Sequence, residues 1–202
     1  FLKPMRGNDV IDAVSNICHW LNLHRKDRNV AKCRPYSMIP QHYYVTTEDC
    51  GAGFHLHLDY RGMSDSVVLN FADVAHLIFD NVLRTVDESR KDNRYCLGYD
   101  TLPSVMYRNW YSNSLPAFDR YHAINVSNIE PNSSKSTVEI RLHEGTMDRD
   151  KILTWVEFWA TLANLCDNNR VTPKFVREKG FKGLLNRMKL SHKTRERFLL
   201  CV

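Results

Sequence analysis

The sequence predicts an α+β fold in which an antiparallel sheet carries helices on one face and an open polar face on the other. Two stretches, 53–60 and 137–143, alternate apolar and polar side chains as half-buried strands do. Each is followed by a segment with apolar residues at helical spacing, so strands and helices are mixed along the chain. The 202 residues, 43% hydrophobic and 25% charged, suffice for about one domain and exclude a disordered or fibrous chain.

The first half of the chain contains one clear strand between two helical segments. Apolar spacing predicts a helix from about Asp9 to His24, and the run Tyr43–Val45 suggests a short strand in an otherwise irregular region. In 53–60, the apolar residues point to one side, and His55, His57 and Asp59 point to the other. Ser64 is expected to cap a long amphipathic helix that reaches about residue 86.

The second half repeats this pattern and then becomes basic. A strand is expected over 121–128, and a turn at 131–134 leads into the strand 137–143. On that strand Glu139, Arg141 and His143 should share the polar face. A helix over about 148–165 and two shorter basic helices, 172–188 and 191–201, complete the chain.

Charge is unevenly distributed along the sequence. Residues 168–202 carry a net charge of +8, whereas the first 167 residues carry −3. We therefore expect a core over 1–167 and a basic helical extension over 168–202 that packs on it. Such an end could bind nucleic acid or an acidic partner, but a solvated basic surface is favoured, because no aromatic ladder or nucleic-acid motif accompanies the charge.

Three absences predict a cytoplasmic protein without a membrane segment. No apolar run approaches the ~18 residues that span a bilayer, and the first residues lack a signal-peptide pattern. The six cysteines contain no CxxC pair, which favours free thiols in a reducing compartment over disulfides or a zinc ribbon.

Two short motifs carry the candidate chemistry. In Gly53-Phe54-His55-Leu56-His57, two histidines project in parallel from one strand face, which suits metal ligation or contacts to a phosphate. The preceding glycines allow another backbone or a ligand to approach the strand closely. In a simpler interpretation, both histidines are exposed side chains of an edge strand.

The second motif places a carboxylate and a guanidinium two residues apart. Glu139 offers a hard oxygen ligand for magnesium, and Arg141 offers a planar fork for a carboxylate or phosphate. A cross-strand surface ion pair is the alternative. Both motifs on one sheet face would resemble a metal–phosphate site.

These motifs, in this order and with a long helix between them, resemble the amidoligase family of carboxylate–amine ligases, in the glutamine synthetase and glutamate–cysteine ligase superfamily. The resemblance rests on 50–59, on 121–125 and on Ser136 to Thr146 with the helix that bears Trp155, and it covers roughly residues 1–165. It implies a glutamine synthetase-like catalytic core that uses ATP and Mg²⁺ to form an amide bond through an acyl phosphate.

The resemblance also implies roles for individual residues. His55 and Glu139 would bind the metal, and Glu139 and Arg141 would be the catalytic residues. His57 would contact the nucleotide phosphates, and Arg120 and Asn125 match a recurrent polar strand at the nucleotide. The substrates would be the carboxylates and amines of amino acids, peptides or proteins, and a homo-oligomer or larger assembly is expected.

One feature of the family has no counterpart in the sequence. Family members begin with a strand that carries two glutamates at i and i+2, and no such strand precedes Phe1. The sequence therefore predicts an N-terminally incomplete core. Two alternatives to the ligase stay open: a degenerate domain with a structural or interaction role, and a metal-dependent hydrolase that uses the histidine pair.

Overall fold

A computed structural model of the chain describes residue 9 and the ranges 11–16, 53–105, 120–129, 136–146 and 148–200. Residues 9 and 11–16 are helical, in agreement with the first part of the predicted N-terminal helix. The remainder of that helix and the predicted strand Tyr43–Val45 lie outside the described residues.

The described residues form a mixed α+β fold with one small antiparallel sheet, as the sequence predicts. Its strands are β1 (Gly53–Asp59), β2 (Ile124–Asn125) and β3 (Thr137–Glu144), in the order β1-β3-β2. The helices are α1 (Asp65–Leu77), α2 (Phe79–Leu83), α3 (Arg149–Asp167), α4 (Pro173–Arg187) and α5 (His192–Leu199), and a 3-10 helix covers Glu88–Arg90.

The central strand β3 is antiparallel to both neighbours and sets the register of the sheet. His57 of β1 and Asn125 of β2 are both paired with Glu139. In β1 the residues alternate between partly buried and exposed, so His55, His57 and Asp59 share the open face as predicted. The register therefore brings polar residues of all three strands together at Glu139.

Helices cover the apolar side of the sheet. The core between sheet and helices contains Phe71 of α1 and Trp155, Phe158 and Trp159 of α3, all with at most 1% of their surface exposed. The Phe158 ring stacks on Phe198 of α5 with centroids 3.9 Å apart. The basic helix α5 thus packs on the core, and the division of the chain into a core over 1–167 and an extension over 168–202 stays a prediction.

Helix ends follow the capping chemistry of the sequence. Asp148 accepts hydrogen bonds from the backbone N–H groups of Asp150 and Lys151 and so begins α3 where it is predicted. Thr172 caps α4, whose first residue is a proline. Inside α4 the chain kinks at Gly180, where φ is +64°, a conformation that glycine adopts without steric cost.

Two predicted elements differ from the structure. The long helix expected to reach residue 86 is broken at Ile78 (φ −103°, ψ 4°) into α1 and α2. The apolar stripe continues across the break, so its spacing gave no sign of it. The strand expected over 121–128 is only Ile124–Asn125, preceded by an isolated parallel bridge between Leu97 and His122.

Candidate functional site

Polar side chains converge on one carboxylate in the middle of the open sheet face. The Glu139 Oε1 atom lies 2.8 Å from His55 Nδ1, 3.7 Å from His57 Nε2 and 2.9 Å from Arg141 Nη1. The other oxygen, Oε2, accepts a hydrogen bond of 2.9 Å from Asn125 Nδ2. Only 8% of the Glu139 side chain is exposed, so this carboxylate depends on its partners for solvation.

The partners of Glu139 keep it ionised. Burial alone would raise the pKa of this carboxyl, because a low-dielectric environment disfavours the charged form. Hydrogen bonds from His55 and Asn125 and the positive charge of Arg141 outweigh burial and lower the pKa of Glu139 to about 2. A fixed anion therefore lies at the centre of the open face at neutral pH.

A β-bulge in β3 sets the direction of Arg141. Phe54 is paired with His143 and Leu56 with Ile140, so β3 has one more residue than β1 over this interval. Within the bulge, Arg141 donates from Nε to the Tyr95 carbonyl (3.2 Å) and from Nη1 to Glu139 (2.9 Å). Two fixed acceptors on different segments orient the guanidinium on the open face.

Arg90 supports this bulge from beneath and was not predicted. Its side chain is buried, and it donates from Nη2 to the Arg141 carbonyl (2.7 Å) and from Nε to the Leu142 carbonyl (3.3 Å). A Cβ atom on Gly53 would lie 2.8 Å from Arg90 Nη2 and 3.2 Å from His55 Nε2. Gly53 thus leaves room for a close neighbour, and this neighbour is the Arg90 guanidinium and not the backbone or ligand that the sequence predicted.

His143 occupies the core and not the open face, where it was predicted. The bulge adds one residue to β3, which reverses the alternation beyond it. The imidazole packs edge-on against Trp155 with centroids 4.8 Å apart and is fully buried. Its Nε2 accepts a hydrogen bond from Arg197 (2.9 Å), so Nδ1 carries the proton and donates to the Glu144 carbonyl (2.7 Å). Burial, the largest cause, lowers the pKa of His143.

The three residues predicted to contact the nucleotide are His57, Asn125 and Arg120. His57 is half exposed and shares a hydrogen bond with Thr137 (3.2 Å). Asn125 is buried and turns its amide toward Glu139, which makes it a residue that orients the carboxylate. Arg120 donates to the Tyr121 hydroxyl (2.8 Å) and lies over that ring. The nucleotide contacts predicted for these three residues stay predictions.

The neighbouring carboxylates are engaged elsewhere. Asp59 forms a bidentate pair with Arg61, and Glu144 binds Lys151 (3.0 Å) and the backbone N–H of Asp87 (3.1 Å). Among the described residues no group of three or more His, Cys, Asp or Glu side chains is arranged to hold a metal ion. The convergence at Glu139 therefore provides a partial ligand set.

Of these side chains, Glu139 and His55 are the ones that could hold a magnesium ion. Glu139 offers an anionic oxygen, whereas His55 Nδ1 donates a hydrogen bond to Glu139 Oε1 (2.8 Å) and would have to give it up to act as a ligand. Magnesium commonly uses one or two carboxylates and takes its other ligands from phosphates and water, so this set would need further oxygen ligands from a bound nucleotide.

Comparison with known proteins agrees with the resemblance. A family model described as "Putative amidoligase enzyme" matches residues 104–163. This range contains β2, β3 and most of α3, and with them Asn125, Glu139 and Arg141. The resemblance to the amidoligase family is thereby confirmed over 104–163 and is consistent with a ligase, whereas the match does not include the strand that carries His55 and His57. No curated protein and no solved structure matches the chain.

Within the described ranges, no helix is long and apolar enough to cross a membrane.

Proposed function

We propose that the chain carries the core of an ATP-dependent carboxylate–amine ligase, which forms an amide or peptide bond through an acyl phosphate. The observation that supports this function is the convergence of two imidazoles, a guanidinium and an amide on the Glu139 carboxylate. The family match over β2, β3 and α3 agrees with this class of reaction.

Glu139 and His55 are the residues that would hold Mg²⁺. They face each other at 2.8 Å across the β1–β3 pair, and His55 offers a nitrogen while Glu139 offers an anionic oxygen. Asn125 fixes the carboxylate from the other side through Oε2, so Oε1 is the oxygen turned toward the open face. When bound, Mg–ATP supplies the phosphoryl group that activates the substrate carboxylate.

Arg141 is the electrostatic residue of the proposed site. Its guanidinium is held by Glu139 and by the Tyr95 carbonyl before any ligand arrives, so little reorganisation is needed to stabilise negative oxygens. Loss of one such preorganised donor typically lowers kcat by about 10²–10³-fold, or roughly 3–4 kcal/mol. His57, on the exposed end of the same face, would contact the nucleotide phosphates together with Arg120.

The substrates proposed for this site are the carboxylate and amine of amino acids, peptides or proteins. A homo-oligomeric or larger assembly and a cytoplasmic location are part of the same proposal. Free thiols are compatible with that location, since Cys96 and Cys166 are buried and unpaired.

Calorimetric titration with ATP, in the presence and absence of Mg²⁺, tests the nucleotide site. We expect Mg²⁺-dependent binding that the double variant His55→Ala/Glu139→Ala loses. Glu178→Gln, which changes an exposed glutamate on α4, is the matched control and should bind as the wild type does. Binding to the double variant with unchanged affinity would refute the assignment.

Trapping with hydroxylamine tests the reaction. An acyl phosphate reacts with hydroxylamine to give a hydroxamate, so incubation with Mg–ATP and a panel of amino acids and peptides should produce hydroxamate and ADP together. Arg141→Met is expected to lower the rate of hydroxamate formation by about 10²-fold while the protein remains folded. Formation at the wild-type rate would exclude Arg141 from the chemistry.

A degenerate domain is the second candidate, and one observation favours it. Glu139 is the one carboxylate that the described residues place among the His55, His57 and Arg141 side chains, and magnesium sites commonly use more than one. A folded protein that binds no Mg–ATP in the calorimetric titration would support this candidate over the ligase.

A further inference from the structure

A basic groove lies on the helical side of the molecule, away from the open sheet face. It has a volume of about 610 Å³, within the usual range of ligand sites, and is bounded by α3, the loop that follows it and the end of α4. Its lining consists of Ala160, Thr161, Asn164, Leu165, Arg170, Arg187 and Lys189. No acidic residue is among them. We call Arg170, Arg187 and Lys189 the groove cations.

The groove cations have no ion-pair partner among the residues that the structure describes. Neither of the two acidic side chains on the nearby α3 surface lines the groove. Glu157 accepts hydrogen bonds from Ser191 and Thr194, and Asp167 lies beside the buried Tyr60 hydroxyl. Three like charges therefore surround one concave surface without a neutralising carboxylate, which favours an anion there.

Buried neighbours fix the walls of the groove. Arg187 and Lys189 flank Met188, which is 2% exposed, and Arg170 precedes the fully buried Val171. The Arg170 backbone N–H also donates to the Leu165 carbonyl (2.8 Å), which holds the loop against α3. The backbone that carries the cations is thus positioned before a ligand binds, and this reduces the entropic cost of binding.

The uncharged lining residues also favour an anion. Asn164 accepts a hydrogen bond from Asn168 through its Oδ1 atom (2.9 Å), so its amide N–H groups are the part that can donate to a ligand. Thr161 adds a hydroxyl that can donate, and Leu165 and Ala160 provide an apolar floor. Arginine forks and a lysine ammonium recognise phosphate and carboxylate oxygens by charge-assisted hydrogen bonds.

We propose that this groove binds a small, multiply charged anion of the oligophosphate or polycarboxylate class. The site is separate from the proposed ligase site, since its lining residues belong to α3, α4 and their flanking loops and none belongs to the sheet. The proposal does not depend on the ligase function and extends the interpretation of the basic C-terminal region.

Titration calorimetry of the full chain with tripolyphosphate and with citrate, without metal, tests this site and separates the two anion chemistries. We expect at least one of them to bind with 1:1 stoichiometry. The variant Arg170→Gln/Arg187→Gln/Lys189→Gln should weaken that binding at least about tenfold, because it removes the charge-assisted hydrogen bonds to the anion.

The matched control removes the same charge from the exposed side of α4. It is the triple variant Arg177→Gln/Lys179→Gln/Lys182→Gln, whose three side chains are exposed and do not line the groove. Its affinity should change much less than that of the groove variant. An equal loss in the two triple variants would show a diffuse charge effect and overturn the proposal, as would the absence of binding of both anions to the wild type.

A further variant distinguishes this site from the nucleotide site. Glu139→Gln alters the open sheet face and leaves the groove intact, so anion binding to the groove should be unchanged in it. Binding that Glu139→Gln alters by tenfold would instead assign the anion to the open face and refute the groove.

Discussion

Replacing Glu139 by glutamine removes the one anion at the centre of the open face and should change how stability depends on pH. The wild-type carboxyl has a pKa of about 2 in the folded protein, against 4.5 for an ordinary glutamate. Because the folded pKa is lowered, the unfolded chain binds the proton more readily. The carboxylate therefore stabilises the fold above about pH 4.5, and this contribution is lost as the pH falls toward 2.

The size of the effect follows from the two pKa values. A difference of about 2.5 pKa units corresponds to roughly 3 kcal/mol of stability at neutral pH. About 1 kcal/mol of this is lost by pH 3.5, where the unfolded carboxyl is mostly protonated and the folded one is not. Glu139→Gln has no carboxyl to titrate, so its stability should fall less over the same interval.

Urea denaturation of both proteins at several pH values between 3.5 and 7 measures this difference. Glu178→Gln is the control, since its carboxylate is more than half exposed and pairs only with Lys174 at 3.9 Å. We expect the difference in unfolding free energy between the wild type and Glu139→Gln to shrink by about 1 kcal/mol toward pH 3.5. Parallel pH profiles would show that His55 and Asn125 do not hold the carboxylate as described, and would refute the argument.

Three further predictions concern the groups that support the site. Burial lowers the pKa of His143, so below about pH 6.5 the unfolded chain binds a proton that the folded imidazole does not, and the wild type should lose stability. In thermal melts between pH 7.5 and 5.5, the melting temperature of His143→Gln should therefore depend less on pH than that of the wild type. Arg90→Met should cost about 2–4 kcal/mol in urea denaturation, because it leaves the carbonyls of Arg141 and Leu142 without donors. Asp148→Ala should cost about 1 kcal/mol in the same assay, because it removes two hydrogen bonds at the start of α3.

Each of these predictions has an outcome that contradicts it. Equal slopes of melting temperature against pH in wild type and His143→Gln would show that His143 does not reject the proton. Arg90→Lys should recover part of the stability lost in Arg90→Met, since an ammonium can donate to one of the two carbonyls; no recovery would assign the loss to packing alone. For Asp148, Asp148→Asn should retain much of the cap, so an equal loss in both variants would exclude capping as the cause.

The local elements could be predicted because their patterns are complete within a few residues. The alternation in β1 is contained within seven residues, and from Phe54 to Asp59 partly buried and exposed side chains alternate as predicted. The start of α3 depends on Asp148 and two N–H groups in the next turn. By contrast, the break at Ile78 leaves the apolar stripe uninterrupted, because α1 and α2 both pack into the same core. Apolar spacing cannot reveal a change of direction that keeps the same face buried.

The candidate site could be predicted in part for the same reason. His55, His57, Glu139 and Arg141 lie on strands whose alternation is local, and the structure brings all four together. The position of His143 depends on a bulge, and that bulge is bound by a guanidinium 51 residues away in the sequence. Residues 137–143 have the alternation of a regular strand, so the sequence does not show that side chains beyond the bulge point to the opposite face. The glycine at position 53 indicates that another group lies close to the strand, but it does not show that this group is the Arg90 side chain.

The basic side chains of residues 168–202, whose net charge is +8, include two groups with different contacts. The first group joins α5 to neighbouring elements through hydrogen bonds. Arg197 donates to His143 and to Thr154, and Arg195 donates to the Leu185 carbonyl. Within the part of the chain that the structure describes, the groove cations have no such partners, although they lie close to the same helices. Salt should therefore affect the two sets differently, since charges that donate hydrogen bonds to buried acceptors are screened little and solvated charges are screened strongly. The groove cations differ from the exposed α4 cations, such as Lys182, because they line one concave surface, and this is why we assign them to an anionic ligand.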